Sequence, residues 1–195
     1  MGMEEYAIVL DYLPQGHHSG DKPVYKREPV AYAMGEEFLT LIELVPRKGV
    51  SLAPHERVYI GKDERDKIEY IKKRAEYDDL TSAAKSELPY AVDEVVTKNE
   101  ARFIEFFNES QAVSTRLHRL ELLPGIGKKL MWEIITERKE PFKSFEDISK
   151  RIKSLPDPKK LVVKRILSEM EGGERKLGKG KYKIFVAPPP SRGPR

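Results

Sequence analysis

The segment 124–127, which reads Pro-Gly-Ile-Gly, predicts a sharp turn between two helices, because glycine accepts backbone torsions that other residues avoid. A helix that begins after such a turn exposes amides without intrahelical partners, and glycines carry no side chain to block an approaching anion. Two lysines follow directly and add formal charge to the helix dipole. The segment therefore predicts a site for nucleic-acid backbone phosphate, formed by Gly125, Ile126, Gly127, Lys128 and Lys129.

A second basic segment follows a loop of a different kind. Residues 155–158 read Leu-Pro-Asp-Pro. Pro158 has no amide hydrogen and Asp157 adds negative charge, so this loop predicts a poor phosphate site. Basic side chains on the helix that follows could still contact phosphate as point charges. They are Lys159, Lys160, Lys164 and Arg165.

The segment 122–128 resembles the hairpin signature of helix-hairpin-helix proteins in DNA repair, recombination and DNA uptake. The residues that follow resemble the linker between the paired hairpins of the bacterial competence (DNA-uptake) family; they are Ile135, Arg138, Pro141, Phe142, Ser144, Phe145, Asp147 and Ile148. In that family a second glycine hairpin comes next, and here residues 155–158 occupy its place. The resemblance implies a tandem helix-hairpin-helix domain over residues 111–171 whose second hairpin is degenerate.

The first part of the chain has the residue pattern of strands. Segments 6–13, 30–34, 38–45 and 57–60 are rich in β-branched, aliphatic and aromatic residues and are separated by Gly, Pro and Asp. Gly35 is expected to supply a positive φ in a hairpin between the second and third segments. Alternation over 181–187 predicts a last strand that returns to the others. We expect an α+β protein with a small antiparallel OB-like β-barrel or sheet over 1–62, completed by strand 181–187.

A helical period begins at Asp63, where Ile68, Ile71 and Ala75 recur at steps of three and four residues. Further helices are expected over 79–86, 90–108 and 115–122, with Pro89 breaking or kinking the run. This pattern predicts a helical connector over 63–110. Residues 188–195 contain four prolines, two arginines and no core former, and they predict a flexible tail.

The distribution of charge is more informative than the formal net charge of +4. Residues 1–109 contain 15 Lys and Arg against 22 Asp and Glu, a net charge of −7, and residues 110–195 contain 21 against 10, a net charge of +11. A basic segment attracts polyanions by Coulomb attraction and counterion release. The second half is therefore the expected nucleic-acid-binding half, and a solvated basic surface is the alternative.

Composition excludes several classes of protein. The chain has no cysteine, which rules out disulfides, thiolate metal sites and a cysteine nucleophile. Its apolar runs are far shorter than the roughly 20 residues that span a bilayer, and its start lacks the pattern of a signal peptide. We expect a cytoplasmic protein without membrane contact.

No group of residues predicts an enzyme. His17 and His18 are adjacent, so their side chains point to opposite sides of an extended segment, and no third metal ligand is placed beside them. The acidic residues of segment 63–79 are interleaved with Lys and Arg, which favours a solvated helix face over a two-metal nuclease. We expect no catalytic residue, no metal and no cofactor, and a nuclease remains a third alternative.

Taken together, the strand-rich start, the hairpin region and the basic last strand resemble an archaeal family of uncharacterised predicted RNA-binding proteins that combine an OB-like barrel with a helix-hairpin-helix region. The resemblance implies RNA or DNA binding, with RNA somewhat favoured over DNA, and a link to translation or ribosome biogenesis. Because phosphate contacts read no base, we expect this binding to be largely sequence-independent. Tyr25, Tyr32 and Phe38 are candidates for base stacking on the barrel, and each is equally expected in its core. The alternative is a protein-interaction adaptor that docks through the hairpin pair, with the acidic half recruiting a basic partner such as a ribosomal protein.

Overall fold

The computed structural model describes residues 4–17, 27–172 and 182–187, which form an α+β protein of two compact units. The first unit contains the described residues of 1–91 together with 170–172 and 185–187. The second contains 92–169 and 182–184. The division between the units therefore falls inside the segment that the sequence suggested as a helical connector.

The first unit is built on a curled, half-barrel sheet of five antiparallel strands in the order β4-β1-β2-β3-β5. The strands are β1 (Tyr6–Leu13), β2 (Val30–Gly35), β3 (Leu41–Pro46), β4 (Arg57–Tyr59) and β5 (Ile68–Arg74). Small and aliphatic side chains form the core, because alternate residues of each strand point to the same face. The core residues are Ala7, Val9, Ala31, Ala33, Ile42, Leu44, Leu52, Val58, Ile60 and Ile68.

The helix predicted from Asp63 is wrong, because residues 68–74 form strand β5. Its pairing with β3 is interrupted by two register shifts, so the partners of β3 fall at irregular intervals along β5. As a result the buried and half-buried residues of the strand are Ile68, Ile71 and Arg74, at steps of three. The spacing of inward residues in this bulged edge strand is therefore similar to that of a helix, which explains the wrong prediction.

The strand predicted over 181–187 is also absent from the described residues 182–187, and β5 is the fifth strand of the sheet. The end of this segment still bonds within the first unit: the amide of Ala187 donates to the carbonyl of Phe38 at 3.0 Å, and Arg74 donates to the carbonyl of Ala187 at 2.5 Å. Residue 181 and the tail predicted over 188–195 lie outside the described residues.

The connection between β2 and β3 is closed by the buried carboxylate of Glu4. It accepts hydrogen bonds from the amides of Glu37, Phe38 and Thr40 at 2.8, 3.0 and 3.2 Å. A Cβ at Gly35 would lie 2.0 Å from the carboxyl carbon of Glu4, and the φ of Gly35 is not in the left-handed region. The glycine is therefore required for space and not for the positive φ that the sequence suggested.

Two helices follow the sheet: α1 (Ser82–Lys98) and α2 (Glu100–Glu109). Of the two outcomes expected at Pro89, a break or a kink, the break does not occur, since Pro89 lies inside α1 and the helices separate at Asn99. Pro89 has no amide hydrogen to donate to the carbonyl four residues earlier in α1. Because Pro89 is exposed, that carbonyl can be hydrated instead.

The second unit continues with a short hairpin of β6 (Ala112–Ser114) and β7 (Leu117–His118), a 3-10 turn (Arg119–Leu122), and the helices α3 (Lys128–Glu137), α4 (Phe145–Arg151) and α5 (Pro158–Glu171). The helix predicted over 115–122 is therefore wrong. Phe103, Ile104 and Phe107 are buried and belong to the core of this unit. Within the described ranges, no helix combines the length and apolar content needed to cross a membrane.

Candidate nucleic-acid interface

The turn before α3 has the geometry that the sequence suggested for its glycines. Gly125 has a φ of +80°, a left-handed conformation in which glycine is favoured, and a Cβ there would meet nothing within 4 Å. Gly127 is the N-cap of α3 in an extended conformation, and a Cβ there would also enter open space. The two glycines leave an uncovered stretch of backbone at the start of the helix.

The backbone amides at this helix start have no internal acceptor. The first intrahelical bond runs from the amide of Met131 to the carbonyl of Gly127 at 3.0 Å. Among the described residues, none places an acceptor against the amides of Gly125, Gly127 or Lys128. These are the orphan donors of a helix N-terminus, and they lie on the exposed surface.

Ile126 has a different role from its neighbours. Its side chain is buried at 4% exposure, and its amide donates to the carbonyl of Leu123 at 3.2 Å. The amide of Ile126 is therefore occupied, and the prediction that it contacts phosphate is wrong in that respect. The residue anchors the turn to the core of the second unit.

Lys128 is tied into the turn that precedes its helix. Its Nζ atom lies 2.7 Å from Glu121 Oε2 and 2.9 Å from the carbonyl of Arg116. Glu121 also accepts from the amide of His118 at 2.8 Å. Burial tends to raise the pKa of Glu121, but the hydrogen bonds from Lys128 and His118 lower it below its ordinary value. The charge of Lys128, which the sequence assigned to phosphate, is thus already paired.

His118 supports the same turn through its ring. Burial, followed by the nearby charge of Arg138, lowers the pKa of His118 below its ordinary value, so the imidazole is neutral at pH 7. Its Nδ1 atom accepts a hydrogen bond from the amide of Leu120 at 3.1 Å. His118 and Glu121 together cap the 3-10 turn. Sequence reasoning missed both residues, although the spacing of an acceptor and a Glu three residues later resembles a capping box.

The basic residues of α5 divide into exposed and occupied side chains. Lys160 and Lys164 are exposed one turn apart on the helix, and no ion pair within the described chain engages them. Lys159 lies 2.8 Å from Asp93 Oδ2. Lys129, on α3, is exposed and likewise has no acidic partner among the described residues. Among the basic residues that the sequence assigned to binding, the uncommitted charge is therefore carried by Lys129, Lys160 and Lys164.

Arg165 is a buried structural residue, and its assignment to the binding surface is wrong. Its side chain is 1% exposed and pairs with Glu169, which is 2% exposed. The guanidinium also donates to the carbonyls of Leu122 at 3.0 Å and Tyr182 at 2.6 Å. A planar fork of donors suits such a site because it satisfies three acceptors at once. Arg165 fixes the segment that leads into the glycine turn.

The loop between α4 and α5 repeats one feature of the glycine turn. The amide of Leu155 donates to the carbonyl of Ile152 at 3.2 Å, as the amide of Ile126 does to Leu123. Asp157 then takes the N-cap position, since its carbonyl accepts from Leu161 and its carboxylate accepts from the amide of Lys160 at 3.2 Å. A carboxylate of the chain itself thus occupies the place that an anion would take at this second helix start.

A polar cluster occupies one face of the sheet in the first unit. Glu43 is fully buried, and its carboxylate lies 2.7 Å from His17 Nε2 and 2.8 Å from Lys72 Nζ. Burial opposes ionisation, but the hydrogen bonds from Lys72 and His17 lower the pKa of Glu43 below its ordinary value. Tyr32 faces Glu43 across the strands, and its burial, with the charges of Glu43, Asp79 and Asp11, raises its pKa to about 12.

The surroundings of the aromatic and histidine candidates bear on the base-stacking and metal-binding alternatives. Tyr32 is 3% exposed and belongs to the interior, so it offers no stacking surface. Phe38 is partly buried, and Tyr25 lies outside the described residues. His17 hydrogen-bonds Glu43, while His18 is also outside the described part. In the part of the chain that the structure describes, no group of three or more metal-ligating side chains is arranged around a common point.

Comparison with known proteins agrees with the α+β architecture. A family model described as "Protein of unknown function (DUF655)" matches residues 3–187. An uncharacterized protein of Methanocaldococcus jannaschii is 46% identical over 184 residues, which are 94% of this chain and 80% of the relative. The crystal structure of a DUF655 protein from Archaeoglobus fulgidus has a TM-score of 0.84 at 48% identity, covering 94% of this chain and 100% of that chain.

Proposed function

We propose that this chain, which belongs to the DUF655 family, is a non-enzymatic nucleic-acid-binding protein that holds backbone phosphates at the start of α3. The observation that carries the proposal is the exposed run of unpartnered amides at Gly125, Gly127 and Lys128. A phosphate oxygen accepts hydrogen bonds from such amides and is also favoured by the helix dipole. Contacts of this kind fix position and read no base, so binding is largely independent of sequence.

Exposed lysines without an acidic partner in the described chain add to the proposed phosphate contacts. Lys129 follows the amides directly, and Lys160 and Lys164 add exposed charge on α5. Lys128, Lys159 and Arg165 contribute by holding the turn and its helices in place, since each is engaged within the chain. The binding residues are thus fewer than the basic composition of the second half suggested.

The proposed phosphate site belongs to a helix-hairpin-helix arrangement of the second unit. The glycine turn between the 3-10 turn and α3 is the first hairpin, and the α4–α5 loop is its mate with the same internal hydrogen bond. Asp157 caps the second helix from within, so only the first hairpin binds phosphate. We regard the curled sheet of the first unit as OB-like, and its acidic balance argues against it as the main binding surface.

The experiment is a titration of labelled RNA and DNA with the full chain at several salt concentrations. Because phosphate contacts release counterions, the logarithm of affinity should fall linearly with the logarithm of salt concentration. Lys129→Glu should weaken binding of all sequences alike and reduce the slope, while Lys85→Glu in the first unit serves as a control. Affinity that is independent of salt, or equal for Lys129→Glu and the unmodified chain, would contradict the proposal and favour a protein-docking adaptor.

A further inference from the structure

We infer that Trp132 is a stacking platform for an unpaired base, so that the ligand is a single-stranded nucleic acid; this inference rests on the proposed function. Trp132 is the only tryptophan of the chain, and it is 61% exposed on α3. Phe103 and Phe107, by contrast, are fully buried in the same unit. A large aromatic side chain kept out of the core presents a flat apolar surface to solvent.

The exposed position of Trp132 follows from the helix that carries it. Met131 and Ile134 point into the core of the second unit, which turns Trp132 and Lys129 outward. Residues three apart on a helix are surface neighbours, so the ammonium of Lys129 and the indole share one face. Sequence reasoning missed this residue, although the inward positions of α3 were recognisable from their spacing.

The charge around the indole suits a nucleotide better than an acidic or purely apolar partner. Lys129 has no acidic partner within the described chain, and Glu133 is held by a hydrogen bond of 2.7 Å from the hydroxyl of Ser154. A nucleotide presents a phosphate and a flat base within one unit, which matches a cation beside an exposed ring. In a duplex the base faces are stacked on one another and are unavailable, so the platform selects unpaired strands.

The single tryptophan makes the inference directly measurable. Titration of the full chain with an unstructured oligouridylate should quench the indole emission to saturation, whereas a blunt duplex at equal phosphate concentration should leave it unchanged. Trp132→Ala should weaken binding of the single strand by roughly 5- to 150-fold, the range for one base–aromatic stack. Trp132→Phe retains an aromatic face and should recover most of that loss.

Tyr90→Ala is the matched control, because Tyr90 is 68% exposed in the first unit. It should leave single-strand affinity within about twofold. If Lys129→Glu weakens single-strand binding while Trp132→Ala does not, the stacking inference is wrong and the proposed function stands. If no strand binds the folded, unmodified chain at low salt, the proposed function fails and the inference fails with it. Circular dichroism establishes that each variant is folded.

Discussion

Arg165→Met tests whether the buried arginine of α5 is structural. The substitution keeps an unbranched side chain but removes every guanidinium donor. Glu169 would lose its ion pair with Arg165 and remain 2% exposed, and the carbonyls of Leu122 and Tyr182 would lose the hydrogen bonds that Arg165 donates. We therefore expect a large loss of stability together with a displaced glycine turn.

The magnitude follows from what the substitution leaves behind. Removal of one partner of a buried ion pair costs about 3–5 kcal/mol, because the other charge stays buried without compensation. The separate hydrogen bonds are part of that figure and are not added to it, since contacts in one network are not additive. For a chain of this length, the loss corresponds to a fall in Tm of roughly 6–20 °C.

Urea unfolding followed by circular dichroism measures this loss directly. Lys164→Met is the matched control: Lys164 is the exposed neighbour on the same helix, and its replacement should change the free energy of unfolding by less than about 0.5 kcal/mol. Adding Glu169→Leu to Arg165→Met removes the stranded carboxylate and should restore about half or more of the loss. A loss below about 1 kcal/mol for Arg165→Met alone would refute the structural role.

Three further predictions concern other contacts. Gly35→Ala should destabilise the chain by about 1–3 kcal/mol in urea unfolding, because the new Cβ overlaps the carboxylate of Glu4; equal stability would contradict that close approach. Folding lowers the pKa of Glu43, so the ionised carboxylate contributes its full share to the free energy of unfolding above the ordinary carboxyl pKa of 4.5. This contribution to stability is lost as the pH falls through the pKa of the folded state. Glu43→Gln should therefore flatten the dependence of the urea midpoint on pH in the acid range. Lys128→Met should lower stability by about 1–2 kcal/mol through loss of its bond to Glu121, whereas Lys129→Met should not; equal effects of the two on thermal unfolding would contradict their assigned roles.

The sheet was predictable from sequence where its strands are regular. Strands β1 to β4 fall on the segments rich in β-branched and aromatic residues, because local composition and pattern agree there. β5 was mistaken for a helix since its bulges spread the inward residues to steps of three. Bulges depend on pairing with a distant strand, and no local pattern reveals them.

The proposed phosphate site shows a similar division between backbone and side chains. The glycine turn and the start of α3 were predictable, because the positive φ at Gly125 is a local backbone conformation that favours glycine. The roles of Lys128, Lys159 and Arg165 were not, since a basic residue looks the same in sequence whether its charge meets solvent or a carboxylate. Arg165 was the hardest case: its acceptors include the carbonyl of Leu122, which lies far away along the chain.

Gly127→Asp is the most direct test of the claim that α3 holds phosphate on its first amides. Asp at the N-cap should accept from the amide three residues later, as Asp157 does from Lys160 in α5, and its carboxylate should then lie at the helix start and block the phosphate; stability should stay equal or rise by a few tenths of a kcal/mol. Measured by fluorescence anisotropy with a labelled RNA, its affinity should fall about tenfold or more, because the loss of charge-assisted hydrogen bonds is worth about 1.5–3 kcal/mol. A Gly127→Asp protein that is folded, equally stable and binds RNA with unchanged affinity would contradict the account.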